Sequence, residues 1–261
     1  MKKISCYIRA MNEERMIAEV LSSVMTVSDE IILVDSGSTD KTIEIAKSYG
    51  AKIVEQPWLG NGPQKRVGEE NCSYDWLIDL DADEILSDEL AAQINDWKRR
   101  SGNEDEVLSL PLITVPPFGK TWNNSSISRR NKIYNKKINR IPDHRAWDQL
   151  QITNPKNIIR LTGPLYHYSF PNVAHMIGKL NKTSSSRANN GKLKKYPSVV
   201  IRVLIAYPIY FCKHYFLRGL WRQGLYGFVV SNIAAQARWW RDIKMLEIHY
   251  KKQGKQNPKF D

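Results

Sequence analysis

The first hundred residues alternate between short apolar runs and segments with helical periodicity. The apolar runs lie at residues 4–8, 31–34, 51–54 and 76–80, and runs of this length are typical of strands buried on both faces of a sheet. The segments between them repeat apolar residues three or four positions apart, as amphipathic helices do. Strands that alternate with helices form a parallel sheet. The pattern therefore predicts an α/β fold, Rossmann-like and mainly parallel, with helices on both faces.

The helical segments have recognisable ends. We expect the first helix to be capped by Asn12, with Glu13 in its first turn, because Asn is a favoured N-cap and acidic residues suit the first turn. The second helix should end near Tyr49, before Gly50, since Gly commonly follows a helix C-terminus. Residues 62–71 are predicted to form the third helix.

Unusual polar residues follow three of the four predicted strands, at residues 9–13, 35–40 and 81–84. Each turn has an ordinary structural explanation, because Asp and Ser cap helices and Gly permits a positive φ. Ligands of parallel sheets, however, bind outside the carboxyl ends of the strands. The occurrence of all three turns at that one edge favours a binding site.

The strongest of these signals is the acidic cluster Asp79, Asp81, Asp83 and Glu84. Like charges placed together repel, so the cluster by itself does not stabilise a fold. In extended backbone, residues i and i+2 point the same way, and Asp81 and Asp83 can therefore face one cation or one diphosphate–metal unit. Carboxylates are the ligands that Mg²⁺ and Mn²⁺ prefer. The cluster predicts a divalent metal site, and the alternative is a solvated acidic turn before a helix.

The chain lacks the sequence motifs of two classes of nucleotide-binding protein. No Gly-x-Gly-x-x-Gly follows the first strand, and the chain has no Gly-x-x-x-x-Gly-Lys-Ser/Thr loop. These absences argue against a dinucleotide cofactor and against a P-loop nucleoside triphosphatase.

Residues 34–42, 64–66 and 75–84 together resemble the family 2 glycosyltransferases with a GT-A fold, in particular the branch similar to bacterial lipopolysaccharide-core β-glucosyltransferases. Residues 165–168 and 179–182 match later blocks of that branch in the same order. The resemblance implies an inverting enzyme that transfers a hexose from a nucleotide-sugar to a lipopolysaccharide-core or similar lipid-linked saccharide. By family habit, the donor is a UDP-sugar.

The resemblance also implies roles for individual residues in donor binding. Asp35 and Lys65 would hold the base, with Asn12 and Glu13 close by. Asp81 would meet the ribose or the metal.

Further roles concern the metal and the general base. Asp83 would bind the metal, and His167 would supply a later metal or diphosphate ligand, although a His between aromatic residues is also common in a packed core. Related members place a His-Glu pair where this chain has Trp147 and Asp148. The general base is therefore open, with Asp148 first and Asp143 second. The alternative is that Asp148 is an ordinary surface residue.

The charge is unevenly distributed. The chain carries a net charge of +12, but residues 179–261 have 17 basic and 3 acidic residues, a net of +14, whereas residues 1–178 have a net of −2. The shift predicts two parts. Residues 1–178 would form the catalytic domain, with a nucleotide-binding half at about 1–100 and an acceptor half at about 101–178. Residues 179–261 would form a basic helical region that contacts the membrane interface or the acceptor.

Two apolar segments in the basic part, residues 199–212 and 219–235, are interrupted by Arg, Pro or polar residues. The first would be ~21 Å long as a helix, shorter than the ~30 Å hydrocarbon core, so we expect neither segment to span a bilayer. They are predicted to lie in an anionic membrane interface, with Trp239 and Trp240 nearby, or to pack on the catalytic domain. Residues 183–195 are predicted to be a linker or mobile loop.

The three cysteines are scattered without metal-ligand spacing, and no apolar signal segment follows the N-terminal lysines. We therefore expect a protein of the cytosol, peripheral on the cytoplasmic face of the inner membrane. Two other functions fit the sequence less well. A metal-dependent nucleotidyltransferase would normally have a Gly-rich phosphate loop, which residues 9–13 do not form. A non-catalytic protein that binds membrane or nucleic acid would leave the acidic cluster unexplained, and aromatic residues beside apolar helices suit lipid better than nucleic acid.

Overall fold

The computed structural model of the protein describes residues 1–119, 121, 127–145 and 147–255. The chain divides into two compact units. Unit 1 consists of Met1–Thr114 and Ile127–Tyr168, and unit 2 of Val115–Ser126 and Ser169–Asp261. The predicted boundary at residue 178 falls inside a helix of unit 2, Val173–Asn189.

Unit 1 is built around one mixed sheet. Its strands in the described residues are β1 (Ile4–Ala10), β2 (Glu30–Asp35), β3 (Lys52–Glu55), β4 (Trp76–Asp81), β5 (Glu84–Leu86), β6 (Val107–Thr114), β7 (Ile127–Asn135), β8 (Ile158–Arg160) and β9 (Leu165–His167). The helices that connect its first strands are α1 (Ile17–Met25), α2 (Thr42–Ser48), α3 (Asn61–Asn71) and α4 (Asp88–Arg99).

The strand order is β3-β2-β1-β4-β7-β6-β9-β5, and β8 pairs with β6 outside this path. Strands β3, β2, β1 and β4 are parallel, β7 is antiparallel to both β4 and β6, and β9 runs parallel to β6. This is a GT-A-like arrangement, and it confirms the predicted α/β fold. The four predicted strands all form.

The core lies on both faces of the parallel strands. On one face, α1 buries Ile17, Val20, Leu21 and Val24 against the sheet. On the other face, α3 approaches β1 closely at Gly68, where a Cβ atom would lie 2.6 Å from the ring of Tyr7. A larger residue at position 68 has no room, so this glycine sets the distance between helix and sheet.

The start of α1 differs from the prediction. The helix begins at Ile17, and Asn12 lies before it with a left-handed φ of 56°. The Asn12 side chain instead accepts a hydrogen bond from the backbone N–H of Thr39, at 2.8 Å, and the N–H of Glu13 donates to Thr42. The two residues therefore tie the turn after β1 to the turn after β2.

Unit 2 contains three helices, α5 (Val173–Asn189), α6 (Tyr196–Cys212) and α7 (Gly224–Lys252), within the part of the chain that the structure describes. The predicted helical C-terminal region is confirmed. The predicted linker at residues 183–195 is wrong over its first half, because α5 continues to Asn189. Lys244 of α7 explains this, since its ammonium donates to the hydroxyls of Ser184 and Ser185 and stabilises that polar stretch as helix.

The apolar segment of α6 is longer than the sequence suggested. A π-helical turn, Lys213–Leu217, continues the helix, so Tyr196–Leu217 spans 22 residues and contains an 18-residue stretch with a mean hydropathy of 1.3. By length and composition it could cross a membrane, which corrects the expectation that it is too short. Trp239 of α7 contacts α6, because its indole N–H donates a hydrogen bond to the carbonyl of Val203 at 2.8 Å.

Candidate active site

The strand register brings the three polar turns together. Ala10 of β1 lies opposite Asp35 of β2, and Arg9 lies opposite Asp81 of β4. A cleft of about 410 Å³ opens at this edge of the sheet, and its lining residues are Arg9, Ala10, Met11, Glu13, Ser36, Trp58, Asn61, Asp81, Ala82 and Asp83. The cleft therefore lies at the carboxyl ends of the strands, where ligands of such sheets bind.

Asp35 fixes the turn after β2, the turn that contributes Ser36 to the cleft. It is buried, and one carboxylate oxygen accepts hydrogen bonds from the N–H groups of Gly37 and Ser38, both at 2.8 Å. The other oxygen accepts from the Ser38 hydroxyl at 2.5 Å. Gly37 has a φ of 102°, which a residue with a side chain rarely adopts. Neither Asp35 nor Asn12 lines the cleft, and their predicted contacts with the base stay predictions.

An aromatic wall of the cleft comes from Trp58, in the loop between β3 and α3. Its side chain is 54% exposed, and the guanidinium of Arg9 lies 6.0 Å from the ring centroid. A large aromatic residue left this open in a cleft offers a flat face to a planar ligand. Trp58 is not among the predicted site residues, although a tryptophan three positions after the third strand is a signal that could have identified it.

Behind the cleft, a cavity of about 260 Å³ is walled by charged side chains. Lys65 pairs with Asp79 at 2.7 Å, and Lys132 pairs with Glu84 at 2.8 Å, with all four groups buried. Lys132 also lies 3.8 Å from Asp81. Lys65 therefore lines this cavity rather than the cleft, and its predicted contact with the base remains a prediction.

The cations change the electrostatics of the acidic cluster. Burial favours the neutral form of Asp81, but the surrounding positive charges outweigh burial and hold its pKa well below the usual range. Burial also opposes the charge of Lys132, yet the carboxylates around it raise its pKa. Burial raises the pKa of Glu84. The cluster is thus neutralised in large part by the protein itself, through Arg9, Lys65 and Lys132, and the sequence does not predict Lys132 at this site.

Arg9 connects the cluster to Asp148. Its Nε lies 2.8 Å from Asp81, and a terminal nitrogen lies 3.1 Å from Asp148. Lys65 also approaches Asp148, at 3.5 Å. These contacts hold the carboxylate of Asp148, which is half-buried, in the wall of the charged cavity. The other candidate base, Asp143, is exposed and lines neither the cleft nor the cavity.

The loop that carries Asp148 is fixed by a close backbone contact with α3. The N–H groups of Asn61 and Gly62 donate to the carbonyls of Arg145 and His144, at 2.8 and 3.2 Å. A Cβ atom on Gly62 would lie 2.1 Å from the carbonyl oxygen of Pro142. Only glycine permits this approach, so Gly62 is needed to place the loop beside the site.

Asp83 and His167 meet at the edge of the cleft. Strand β9 pairs with β5 so that His167 lies opposite Glu84, and the His167 Nε2 lies 3.2 Å from an Asp83 carboxylate oxygen. Burial lowers the pKa of His167, but the hydrogen bond to Asp83 and the negative charges of Asp83, Glu84 and Asp81 together outweigh burial and raise the pKa above its usual value. The structure thus brings together two residues that are far apart in sequence and that were both predicted as metal ligands.

The third predicted ligand, Asp81, is engaged by Arg9, and no group of three His, Cys, Asp or Glu side chains that could hold a metal occurs among the described residues. Mg²⁺ is commonly held by one or two carboxylates, with substrate phosphates and water as its other ligands. Asp83 supplies one such carboxylate, and the His167 imidazole lies beside it. One carboxylate oxygen of Asp79 is buried without a hydrogen-bond partner among the described residues.

Comparison with known proteins decides the family. The glycosyl transferase family 2 model matches residues 5–153, more than half of the chain. The chain belongs to this family. A relative in Rickettsia typhi, described as an uncharacterized glycosyltransferase, is 35% identical, with 96% of this chain and 89% of the relative covered.

Two further similarities cover nearly the whole chain. The lipopolysaccharide core biosynthesis glycosyltransferase LpsC of Rhizobium meliloti is 28% identical, with 94% of this chain and 93% of LpsC covered. The crystal structure of residues 1–349 of TarS from S. aureus aligns over 97% of this chain and 92% of that chain, at 16% identity and a TM-score of 0.45.

In this glycosyltransferase, Lys132 should be essential for stability. Its side chain is only 5% exposed, and Lys132→Met leaves Asp79, Asp81 and Glu84 without their shared cation. We expect the free energy of unfolding to fall by ~3–5 kcal/mol at neutral pH, as for other broken buried ion pairs. Urea unfolding followed by circular dichroism measures it.

The matched control is Lys137→Met, which removes an exposed lysine that pairs with Asp75 at 2.7 Å. An exposed ion pair of this kind contributes ~0–1 kcal/mol. Equal losses in the two variants would contradict the central position of Lys132 in the charged cluster.

Proposed function

We propose that this family 2 glycosyltransferase inverts configuration as it transfers a hexose from a nucleotide-sugar, a UDP-sugar by family habit, to a lipid-linked saccharide of the lipopolysaccharide-core type. The observation that carries the proposal is the cleft at the strand ends, which combines an open aromatic face, Trp58, with carboxylates at Asp81 and Asp83. A nucleotide diphosphate needs both, since its base stacks and its phosphates require a cation.

The side chains that line the cleft suggest which end of it would hold the base of the donor and which would hold the diphosphate. Trp58 offers its ring to the base, and Glu13 lines the same space. The diphosphate would lie toward Asp83 and His167, which would hold a divalent ion. Such an ion stabilises the negative charge that develops on the leaving diphosphate.

Inversion requires direct displacement at the anomeric carbon, with one carboxylate taking the proton from the acceptor hydroxyl. We assign this role to Asp148. Arg9 and Lys65 fix its orientation, and Arg9 also contacts Asp81, so the base is linked to the donor side of the site through one side chain. Asp143 has no such connection.

The acceptor is inferred from two features. The relative LpsC is described as a lipopolysaccharide core biosynthesis enzyme. Unit 2 of this chain carries the basic excess and also an exposed apolar surface, which consists of Ile201, Leu204, Ile205, Ile209, Phe216, Leu217, Trp221, Leu225 and Phe228. Cations beside such a surface suit helices that dock on an anionic membrane.

We favour docking on the cytoplasmic face of the inner membrane over a membrane span. Arg202 and Pro208 interrupt α6, and Arg202 forms an ion pair with Asp242 of α7 at 2.9 Å. Helices that pair through charged groups and expose one apolar side are typical of the interface.

Leu217→Glu should weaken binding to vesicles that contain phosphatidylglycerol by about tenfold or more. Leu217 is 84% exposed, so the change leaves the fold intact but removes the ~1.5–3 kcal/mol that a buried Leu contributes. Vesicle sedimentation measures the partition. High salt should weaken binding of the unmodified protein without abolishing it, because only the electrostatic part is screened.

The control is Met25→Glu, the same charge change at an exposed apolar residue of unit 1. If both variants lose vesicle binding equally, or if the unmodified protein does not bind vesicles, the apolar surface of unit 2 has another partner.

The test of the function itself is a panel of UDP- and GDP-sugars with Mn²⁺, read by released nucleotide. Release of UDP or GDP supports sugar transfer. Release of pyrophosphate from nucleoside triphosphates with sugar phosphates would instead identify a nucleotidyltransferase. No turnover and no nucleotide binding under either condition would leave a non-catalytic basic membrane-binding or nucleic-acid-binding protein as the remaining explanation.

A further inference from the structure

A second, separate cavity of about 180 Å³ lies within unit 2, between α5 and α7. Each helix lines it with residues spaced three, four and seven positions apart, so each contributes a single face. Thr183, Ser184 and Arg187 come from α5, and Arg238 and Arg241 come from α7. Two alanines on the same face of α7 leave the space open.

The positive charges of the arginines around this cavity are balanced by few carboxylates. In the described part of the chain, neither Arg187 nor Arg238 forms an ion pair, and Arg241 shares the carboxylate of Asp242 with Arg202. None of the cavity's described lining residues is acidic. Burial lowers the pKa of Arg238, and the charges of Arg187 and Arg241 lower it further.

Such an arrangement costs stability unless an anion is present. Like charges gathered around a shared space repel one another, and the repulsion is relieved when a negative group enters. Guanidinium groups present paired N–H donors that match the oxygens of a phosphate. The volume is below the ~300 Å³ of typical sites for whole ligands, and it therefore suits one group of a larger molecule.

We propose that this cavity binds a phosphate group carried by a phosphorylated saccharide or by a lipid headgroup. The proposal does not depend on the transfer reaction, because every lining residue belongs to unit 2. His214 also lines the cavity, and it lies in the same π-helical turn as the exposed Phe216 and Leu217. A phosphate bound here would thus be held beside an exposed apolar surface.

The decisive variant is Arg187→Gln combined with Arg238→Gln. The matched control is Lys182→Gln with Lys192→Gln, which removes the same charge from exposed positions that do not line the cavity. Thermal unfolding of the full chain is followed while inorganic phosphate replaces chloride at constant ionic strength. We expect the melting temperature of the unmodified protein and of the control to rise by ~5–10 °C at phosphate 100-fold above its dissociation constant.

The arginine variant should show less than half of that rise. Without phosphate it should melt no lower than the unmodified protein, because it has lost like-charge repulsion. Arg187→Gln alone changes an exposed residue and keeps the test valid if the double variant does not fold. An unchanged phosphate response in either arginine variant, or no response in the unmodified protein, overturns the proposal.

Two further probes separate the sources of the phosphate. Glucose 6-phosphate compared with glucose tests a phosphorylated saccharide, and vesicles of phosphatidylcholine with and without phosphatidic acid test a lipid headgroup. Binding that the arginine variant loses and the lysine control keeps supports the source in which it occurs. Equal loss in both variants for both probes would mean that general surface charge, and not the cavity, attracts the anion.

Discussion

Asp83→Ala is expected to abolish sugar transfer while the protein stays folded. Asp83 lines the cleft and contacts His167 at 3.2 Å, and the two together are the donors available for a divalent ion. In the proposed site, loss of the carboxylate would leave the diphosphate without its cation, whereas the half-buried side chain contributes little to the core. Released UDP measures activity, and circular dichroism measures folding.

A metal readout makes this prediction specific. Titration of Mn²⁺ in the presence of UDP, followed by calorimetry, should show binding to the unmodified protein and at least tenfold weaker binding to Asp83→Ala. Asp88→Ala removes an exposed carboxylate five positions further on, outside the cleft, and should change neither quantity. Full activity of Asp83→Ala, or unchanged activity in excess EDTA, would remove the metal from the mechanism.

The parallel half of the fold could be predicted because each of its strands is a local feature of the sequence. An apolar run such as residues 76–80 has enough β-branched and aromatic character to be recognised without its partners. The edge at which the polar turns meet then follows from the general rule for parallel sheets. The meeting of Asp81 with Arg9 needs only the register of two adjacent strands.

The buried cation Lys132 could not be predicted in the same way. Lys132 reaches Glu84 from β7, an antiparallel strand that arrives after a long excursion of the chain. Its neighbours in sequence do not distinguish Lys132 from a surface lysine. Its partner Glu84 is distant in sequence, so their contact produces no hydrophobic or charge periodicity near Lys132. Only the family resemblance predicts His167 at this site, because its contact with Asp83 depends on the pairing of β9 with β5.

The error at the first helix has a different cause. Asn12 has the composition of an N-cap, but the bond it makes goes to Thr39 in another turn. Such a side chain can form a hydrogen bond with its own helix or with a neighbouring loop. Tertiary structure decides between the two partners, and local propensity carries no information about that choice. The extended α5 is a similar case, since Lys244 comes from a helix 60 residues further along the chain than Ser184.

Asp148→Asn is expected to lower turnover by about 10²–10⁴-fold with little change in the apparent affinity for the donor. Asn has nearly the shape of Asp, so the contacts with Arg9 and Lys65 can persist in part, but its amide cannot take a proton from the acceptor. Steady-state kinetics at several donor concentrations separate kcat from KM.

Asp143→Asn is the natural comparison, because Asp143 is exposed and makes no contact with Arg9 or Lys65 among the described residues. It should retain nearly full activity. Donor hydrolysis in the absence of acceptor provides a second distinction, because it reports on the donor site without the acceptor hydroxyl that the base is expected to deprotonate. A loss confined to transfer points to the general base, whereas equal losses of hydrolysis and transfer point to a disturbed donor site. If Asp148→Asn is active and Asp143→Asn is inactive, the base lies in the exposed part of this loop, and the acceptor must then approach from outside the charged cavity.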